Sequence, residues 1–231
     1  GVHKEIHFKA IDLFLSLQYI PSPYTIYKNI YKLPPGHSLV YEQGKMSVER
    51  YWDLPLGQSP ITSDPVEAQE IIRDKLKESV RLRLISEVPL GAFLSGGIDS
   101  SIIVALMSEL SSSPVKTFSI GFKEAEFSEL PYARSVARMY GTDHNEYNVT
   151  AKMTDILPKL AWHYGEPYAD ASALPSYYVA NETRKHVTVA LNGDGGDENF
   201  AGYIRYFAMK AARLYDAIPA PLRKGLQLGA E

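Results

Sequence analysis

Two short stretches concentrate the side chains able to do chemistry. Leu94-Ser95-Gly96-Gly97-Ile98-Asp99-Ser100-Ser101 combines a glycine pair with three hydroxyls and one acid. Adjacent glycines let the backbone turn tightly and bring its N–H groups close to an anion. Ser95, Ser100 and Ser101 add hydroxyl donors, and a helix starting there adds the positive end of its dipole. Phosphate suits such a loop. Asp99 would repel phosphate unless a divalent cation lay between them, which points to magnesium. The octamer lacks the Gly-Lys-Ser/Thr ending of a Walker A loop and the three-glycine dinucleotide fingerprint. The plainer alternative is a strand-to-helix turn whose Asp and Ser are only caps. In the second stretch, Asn192-Gly193-Asp194-Gly195-Gly196-Asp197-Glu198, three carboxylates sit within seven residues. Acids so crowded need a partner, and a metal bridged to phosphate supplies one. The spacing does not fit an EF-hand loop. On this reading Asp99 and Asp197 hold one magnesium from opposite sides, and Asp194 faces whatever lies beyond the phosphates.

Both stretches need elements to position them. Val88–Leu94 reads as a short apolar strand, Ser101–Leu110 as a helix, Val115–Phe122 as a strand and Leu130–Tyr140 as a helix. His144–Val149 follows as a strand, then helices over Ile156–Tyr164 and Ser176–Arg184, and a strand over Val187–Leu191. Such alternation predicts an α/β fold with an open, mostly parallel sheet and helices on both faces. Ligands then bind at the carboxyl ends of the strands, where both glycine loops lie. Before this unit, Asp64, Pro65 and Glu67 mark a capped helix start, with Ile72, Leu76 and Val80 as its buried stripe toward Glu87. Residues 1–58 read differently, as the end of another domain, the alternative being an N-terminal decoration of this one. Phe8, Ile11, Leu15 and Tyr19 recur at helical spacing, and Ser38–Trp52 alternates around Gln43-Gly44 like a hairpin. The expected division is therefore 1–58 and 59–231.

At this point the chain resembles a known family. Ser95-Gly96-Gly97-Ile98-Asp99-Ser100 is similar to the pyrophosphate loop of the PP-loop ATP pyrophosphatases, whose fold is adenine nucleotide alpha-hydrolase-like. Pairing with Gly193-Asp194-Gly195-Gly196-Asp197-Glu198 resembles the asparagine synthetase branch, which includes the β-lactam synthetases. Tyr27–His37 and Arg50-Tyr51-Trp52 resemble the end of that family's glutaminase domain, and Glu166–Ser172 its substrate-side loop. Phe118–Phe122 and Gly141–His144 also match.

The resemblance implies an ATP- and magnesium-dependent amidotransferase. A carboxylate, aspartate first among candidates, is adenylated with release of pyrophosphate, and ammonia derived from glutamine then displaces AMP. It implies that Ser95, Gly96, Gly97, Asp99, Ser100 and Ser101 meet the pyrophosphate, and that Leu94, Ile120 and Gly193 lie against the nucleoside. Asp99 and Asp197 hold the metal, and Asp194 faces the acyl-adenylate and helps accept a proton from ammonia. Two positions depart from the family: Asp194 stands where a glutamate is frequent, and Asn199 where a hydrophobic residue is common. The alternatives are a β-lactam synthetase-like or other carboxylate-activating ligase, and a nucleotide-binding module without catalysis.

Composition narrows the field. With no cysteine, this stretch has neither a thiol nucleophile nor thiolate metal ligands. Glutamine hydrolysis is thus not expected of it, and the family's phosphate-contacting lysine has no match at Lys210 or Lys224. Read alone, the stretch is expected to bind nucleotide weakly and to be inactive or ammonia-dependent at most. A net charge of −3 gives no polyanion-binding surface, so nucleic acid is not an expected partner. No apolar run is long enough for a membrane span, and the absence of a signal peptide suggests the cytoplasm. Expected partners are small substrates (ATP, an amino-acid carboxylate, ammonia) and a glutaminase domain, with a homodimer left open. His144, His163 and His186 lack ligand spacing and read as structural.

Overall fold

The computed structural model describes residues 3–122, 128–149 and 153–218. In chain order its elements are α1 (Phe8–Leu17), β1 (His37–Glu42), β2 (Lys45–Arg50), α2 (Pro65–Arg83), β3 (Leu90–Phe93), α3 (Ile98–Leu110), β4 (Lys116–Phe122), α4 (Leu130–Tyr140), β5 (Asp143–Val149), α5 (Met153–Tyr164), α6 (Ala173–Thr183), β6 (Val189–Leu191), α7 (Gly196–Phe200) and α8 (Ile204–Asp216). They fall into two compact units, residues 1–76 with 148–182, and residues 77–147 with 183–231. None of the described helices is long and apolar enough to cross a membrane.

In the first unit α1 buries a different face from the one its spacing suggested. Phe8 and Leu15 are 76% and 75% exposed, while Ala10 is buried with Ile20 and Ile26, and Ile11 and Phe14 pack against them. Ala10 and Phe14 are four apart, so the segment returning through Ile20 and Ile26 selects that stripe. The hairpin forms as expected: Gln43 and Gly44 both take positive φ, as a type I′ turn requires, and Glu42 pairs with Lys45. A second small core joins Ile156 and Leu160 of α5 to Ala173 of α6.

The start of α2 uses the predicted residues in a different bonding pattern. Asp64 Oδ1 accepts from Val66 N–H at 2.9 Å, the expected cap. Glu67, however, accepts from Thr62 Oγ1 at 2.5 Å, and the Asp64 N–H donates to the same Thr62 hydroxyl at 3.1 Å. Of the expected stripe only Val80 is buried, and Ile72 is exposed.

The second unit is built on a four-stranded sheet of order β5-β4-β3-β6. β3 runs parallel to β4, with Gly91 opposite Lys116 and Phe93 opposite Phe118. It also runs parallel to β6, with Leu90 opposite Val189 and Ala92 opposite Leu191. Flanking helices α3 and α4 pack on β3 and β4, so the fold is α/β with a parallel, helix-covered sheet. Phe118, Val104, Met107 and Leu94 are almost wholly buried. Side chains of this size each contribute about 1.5–3 kcal/mol on leaving water. β6 is shorter than its apolar run, because the Val187 N–H bonds back to Thr183 O at 3.0 Å and ends α6 instead.

Candidate functional site

After β3 the chain adds β4 and β5 on one side, then returns to place β6 on the other. Strand order therefore reverses between β3 and β6, the place where open α/β sheets leave a crevice for ligands. The 94–101 loop leaves the carboxyl end of β3 and the 192–198 loop that of β6. Sequence spacing placed both on one rim; strand order makes them neighbours.

The first loop is stitched by its own hydroxyls. Leu94 is buried, its N–H donating to Phe118 O at 2.9 Å and its carbonyl accepting from Ser119 Oγ. Ser95 Oγ lies 2.9 Å from Ser100 Oγ and accepts from Gly97 N–H at 3.1 Å. Ser100 Oγ also approaches Gly97 O at 3.2 Å and Ser95 N at 3.3 Å. Gly96 has φ +84°, and a Cβ there would come within 2.5 Å of the Tyr132 and Ala133 backbone, so no other residue fits. α3 then begins at Gly97 with no side chain capping it. Its first-turn N–H groups are left for an outside acceptor. Ser101 Oγ is buried with no hydrogen-bond partner. An uncapped helix start and an orphaned hydroxyl in its first turn are what an anion site needs.

The second loop presses against that turn. A Cβ on Gly193 would stand 2.7 Å from Ser100 N and 2.8 Å from the Asp99 carbonyl carbon and Cβ. Gly196 likewise lies directly against the Asp99 carboxylate. Asp99, Ser100, Gly193 and Gly196 thus converge. The other acids meet neighbours within or just beyond their own loop. Asp194 Oδ2 accepts from Asn192 Nδ2 at 2.6 Å, and the Asp194 N–H returns to Asn192 Oδ1 at 3.3 Å. The Asp197 carboxylate lies against Gly202. Glu198 accepts from Tyr203 O–H at 2.6 Å, a bond that holds its carboxyl below the usual range and pushes the Tyr203 phenol up to about 12. Arg205 sits 4.9 Å over the Tyr203 ring. Asn199, the unusual residue after the acid pair, donates from Nδ2 to Gly195 O at 2.6 Å and closes the loop. Ile120 is half-buried on β4, two residues beyond Phe118.

Sequence reasoning did not single out Asn192 or Tyr203. Asn192 had a signal, since an Asn two residues before a glycine-flanked acid favours an Asx turn. His144, His163 and His186 each meet a protein neighbour. His144 bonds Thr117 Oγ1 at 2.8 Å and stands 3.3 Å from Glu146, burial pushing its pKa down. His186 meets Tyr147 OH at 2.7 Å, and His163 packs edge-on against Trp162. Asp170 Oδ1 accepts from Ser172 N–H at 2.8 Å, and Glu166 pairs with Lys32. Among the described residues no three His, Cys, Asp or Glu gather as a metal cage. A pair of carboxylates with phosphate oxygens and water is nevertheless the donor set magnesium takes. Asp99, set against the second loop, fits that use.

Comparison with known proteins gives the same direction. The asparagine synthase family model matches residues 71–229, and the glutamine amidotransferase domain model matches residues 1–52. A Methanocaldococcus jannaschii protein with the provisional name asparagine synthetase 2 (glutamine-hydrolysing) is 41% identical over 207 residues, covering 88% of this chain and 40% of that protein. Asparagine synthetase 1 (glutamine-hydrolysing) of Bacillus subtilis is 36% identical over 224 residues, covering 96% of this chain and 35% of the relative. The chain thus spans 35–40% of the length of these relatives. The solved NH3-dependent NAD synthetase of Campylobacter jejuni aligns at TM-score 0.40 and 15% identity, covering 58% of this chain and 60% of that one, a likeness too loose to argue from. On the strength of residues 71–229, the chain belongs to the asparagine synthase family.

Proposed function

We propose that, within the full-length protein, residues 59–231 use ATP to adenylate an amino-acid carboxylate, aspartate first among candidates, releasing pyrophosphate. Ammonia drawn from glutamine then forms the amide. Residues 1–58 belong, on this reading, to the glutaminase domain that supplies it. The observation that carries the proposal is the contact of Gly193 with Ser100 and Asp99, which brings the acid-rich loop onto the uncapped start of α3.

Each residue then has work suited to its place. The first-turn N–H groups of α3, with Ser95, Gly96, Gly97, Ser100 and Ser101, bind the departing pyrophosphate and orient it for in-line displacement. Leu94, Ile120 and Gly193 shape the nucleoside side. Asp99 and Asp197 would hold magnesium, which neutralises phosphate charge as it develops. Asp194, anchored through one oxygen by Asn192, faces the activated carbonyl and takes a proton as ammonia attacks.

Thermal unfolding of the full-length protein with and without magnesium-ATP tests the nucleotide site. A ligand at a hundredfold excess over its Kd stabilises by about 2.7 kcal/mol. Asp99→Ala and Asp197→Ala are each expected to abolish the magnesium-dependent rise, and a rise that survives both would remove the metal assignment. A pyrophosphate-release screen across amino-acid carboxylates then names the substrate.

A further inference from the structure

Of the acids in the second loop, two are engaged away from the crevice. Glu198 accepts from the Tyr203 hydroxyl at 2.6 Å, and the Asp197 carboxylate lies against Gly202. Asp194 is held differently. Its Oδ2 accepts from Asn192 Nδ2 at 2.6 Å, while its own N–H donates to Asn192 Oδ1 at 3.3 Å. One amide side chain thus grips both the carboxylate and the backbone of the same residue. Among the described residues nothing bonds Asp194 Oδ1, and the residue is exposed.

Asn192 is itself rooted. It follows Leu191, which lies opposite Ala92 of β3. The next residue, Gly193, is pinned, since a Cβ there would stand 2.7 Å from Ser100 N. Gly193 O then accepts from Gly196 N–H at 3.2 Å and turns the chain. The sheet and the start of α3 therefore fix the backbone around Asp194. What remains is rotation of its carboxylate, which is a soft, roughly two-fold torsion in a free aspartate. The Asn192 amide chooses between the two oxygens.

We propose that Asn192 is a positioning residue that acts through Asp194, holding Oδ2 so that Oδ1 is the oxygen that takes the proton from ammonia. The proposal rests on the function proposed above. In that step the ammonia nitrogen bonds the carbonyl carbon, and the bond from that carbon to the phosphate oxygen breaks, its electron pair leaving on AMP. One N–H proton passes to Oδ1. A carboxylate free to rotate spends part of its time with neither oxygen in line. Adenylation takes no proton from ammonia, so Asn192 matters to the second half-reaction alone.

The test uses the full-length protein with aspartate, magnesium-ATP and ammonium, and compares amide formation with aspartate-dependent exchange of pyrophosphate into ATP. Asn192→Ala is expected to slow amide formation about tenfold while exchange stays within about twofold. Added to Asp194→Ala, it is expected to cost nothing further, as for two residues acting as one unit. Asn192→Asp keeps the shape but sets a second carboxylate against Asp194, and two acids there share a proton. The acidic limb of the amide rate is expected to move up by about one pH unit or more relative to the parent, with the exchange profile unmoved. An amide rate that Asn192→Ala leaves intact, an exchange rate that falls with it, an unmoved limb, or a further loss beyond Asp194→Ala would each overturn the assignment and leave the ligase reading standing. A parent protein that neither exchanges pyrophosphate nor forms amide overturns that reading, and the assignment with it.

Discussion

The 94–101 loop leaves a strand hydrogen-bonded on both sides and enters a thirteen-residue helix, whereas the 192–198 loop leaves a three-residue strand and enters a five-residue helix. The first needs little from side chains beyond hydroxyls, since its shape follows from the strand, the buried Leu94 and the backbone of α4 behind Gly96. The second holds itself by side chains: Asn192 on Asp194, Asn199 on Gly195, Tyr203 on Glu198. A loop built from packing resists change everywhere except at its tightest contact. A loop built from polar clasps gives way one clasp at a time.

The sharpest way to break that contrast is Gly96→Ala. Its Cβ would strike the Tyr132 and Ala133 backbone at a φ that alanine seldom adopts. Overpacking and a left-handed residue together cost about 3 kcal/mol, measurable as a lower urea midpoint. A loss under about 1 kcal/mol would mean that α4 yields and the first loop is not packing-locked. Asn199→Ala removes one exposed clasp and is expected to cost about 0.5–1 kcal/mol, with the first loop's hydrogen-exchange protection unchanged.

Tyr203→Phe should have the smallest effect, and its signature is pH. Glu198 titrates below its unfolded value, so its part of the stability is present above that value and fades as pH falls through the folded pKa. Tyr203 titrates at about 12, above the unfolded ~10, so its part is present below pH ~10 and is lost as pH rises through the folded value. The difference between parent and variant should therefore be level from roughly pH 5 to 10 and shrink at either end. Glu198 is exposed and Tyr203 only partly covered, so salt should shrink it as well. A difference that ignores pH would mean that the ring, not the hydroxyl, anchors α8.

Legibility followed the range of the interactions. Glycines and acids packed into seven or eight residues are a local pattern, so both loops could be read directly, as could β4, α4 and the hairpin turn. The fate of each acid could not, because Asp194, Asp197 and Glu198 are chemically alike and only their neighbours separate them. Tyr203 lies five residues beyond Glu198, past a short helix with no periodic signature. The face of α1 was misjudged because two stripes were apolar, and only the return through Ile20 and Ile26 chooses between them. Lys32 and Glu166 carry no mark in sequence that they meet.

The strand order also has a consequence in time. Leu90 of β3 pairs with Val189 of β6, about a hundred residues later in the chain. Pairings closed over so long an interval are slow to form. A ribosome adding about 5–20 residues per second finishes the first loop many seconds before β6 emerges. During that interval β3 has β4 on one side and an open edge on the other. An open edge with an apolar strand invites mispairing with other chains. Newly made protein is therefore most vulnerable to aggregation just before its two loops first meet.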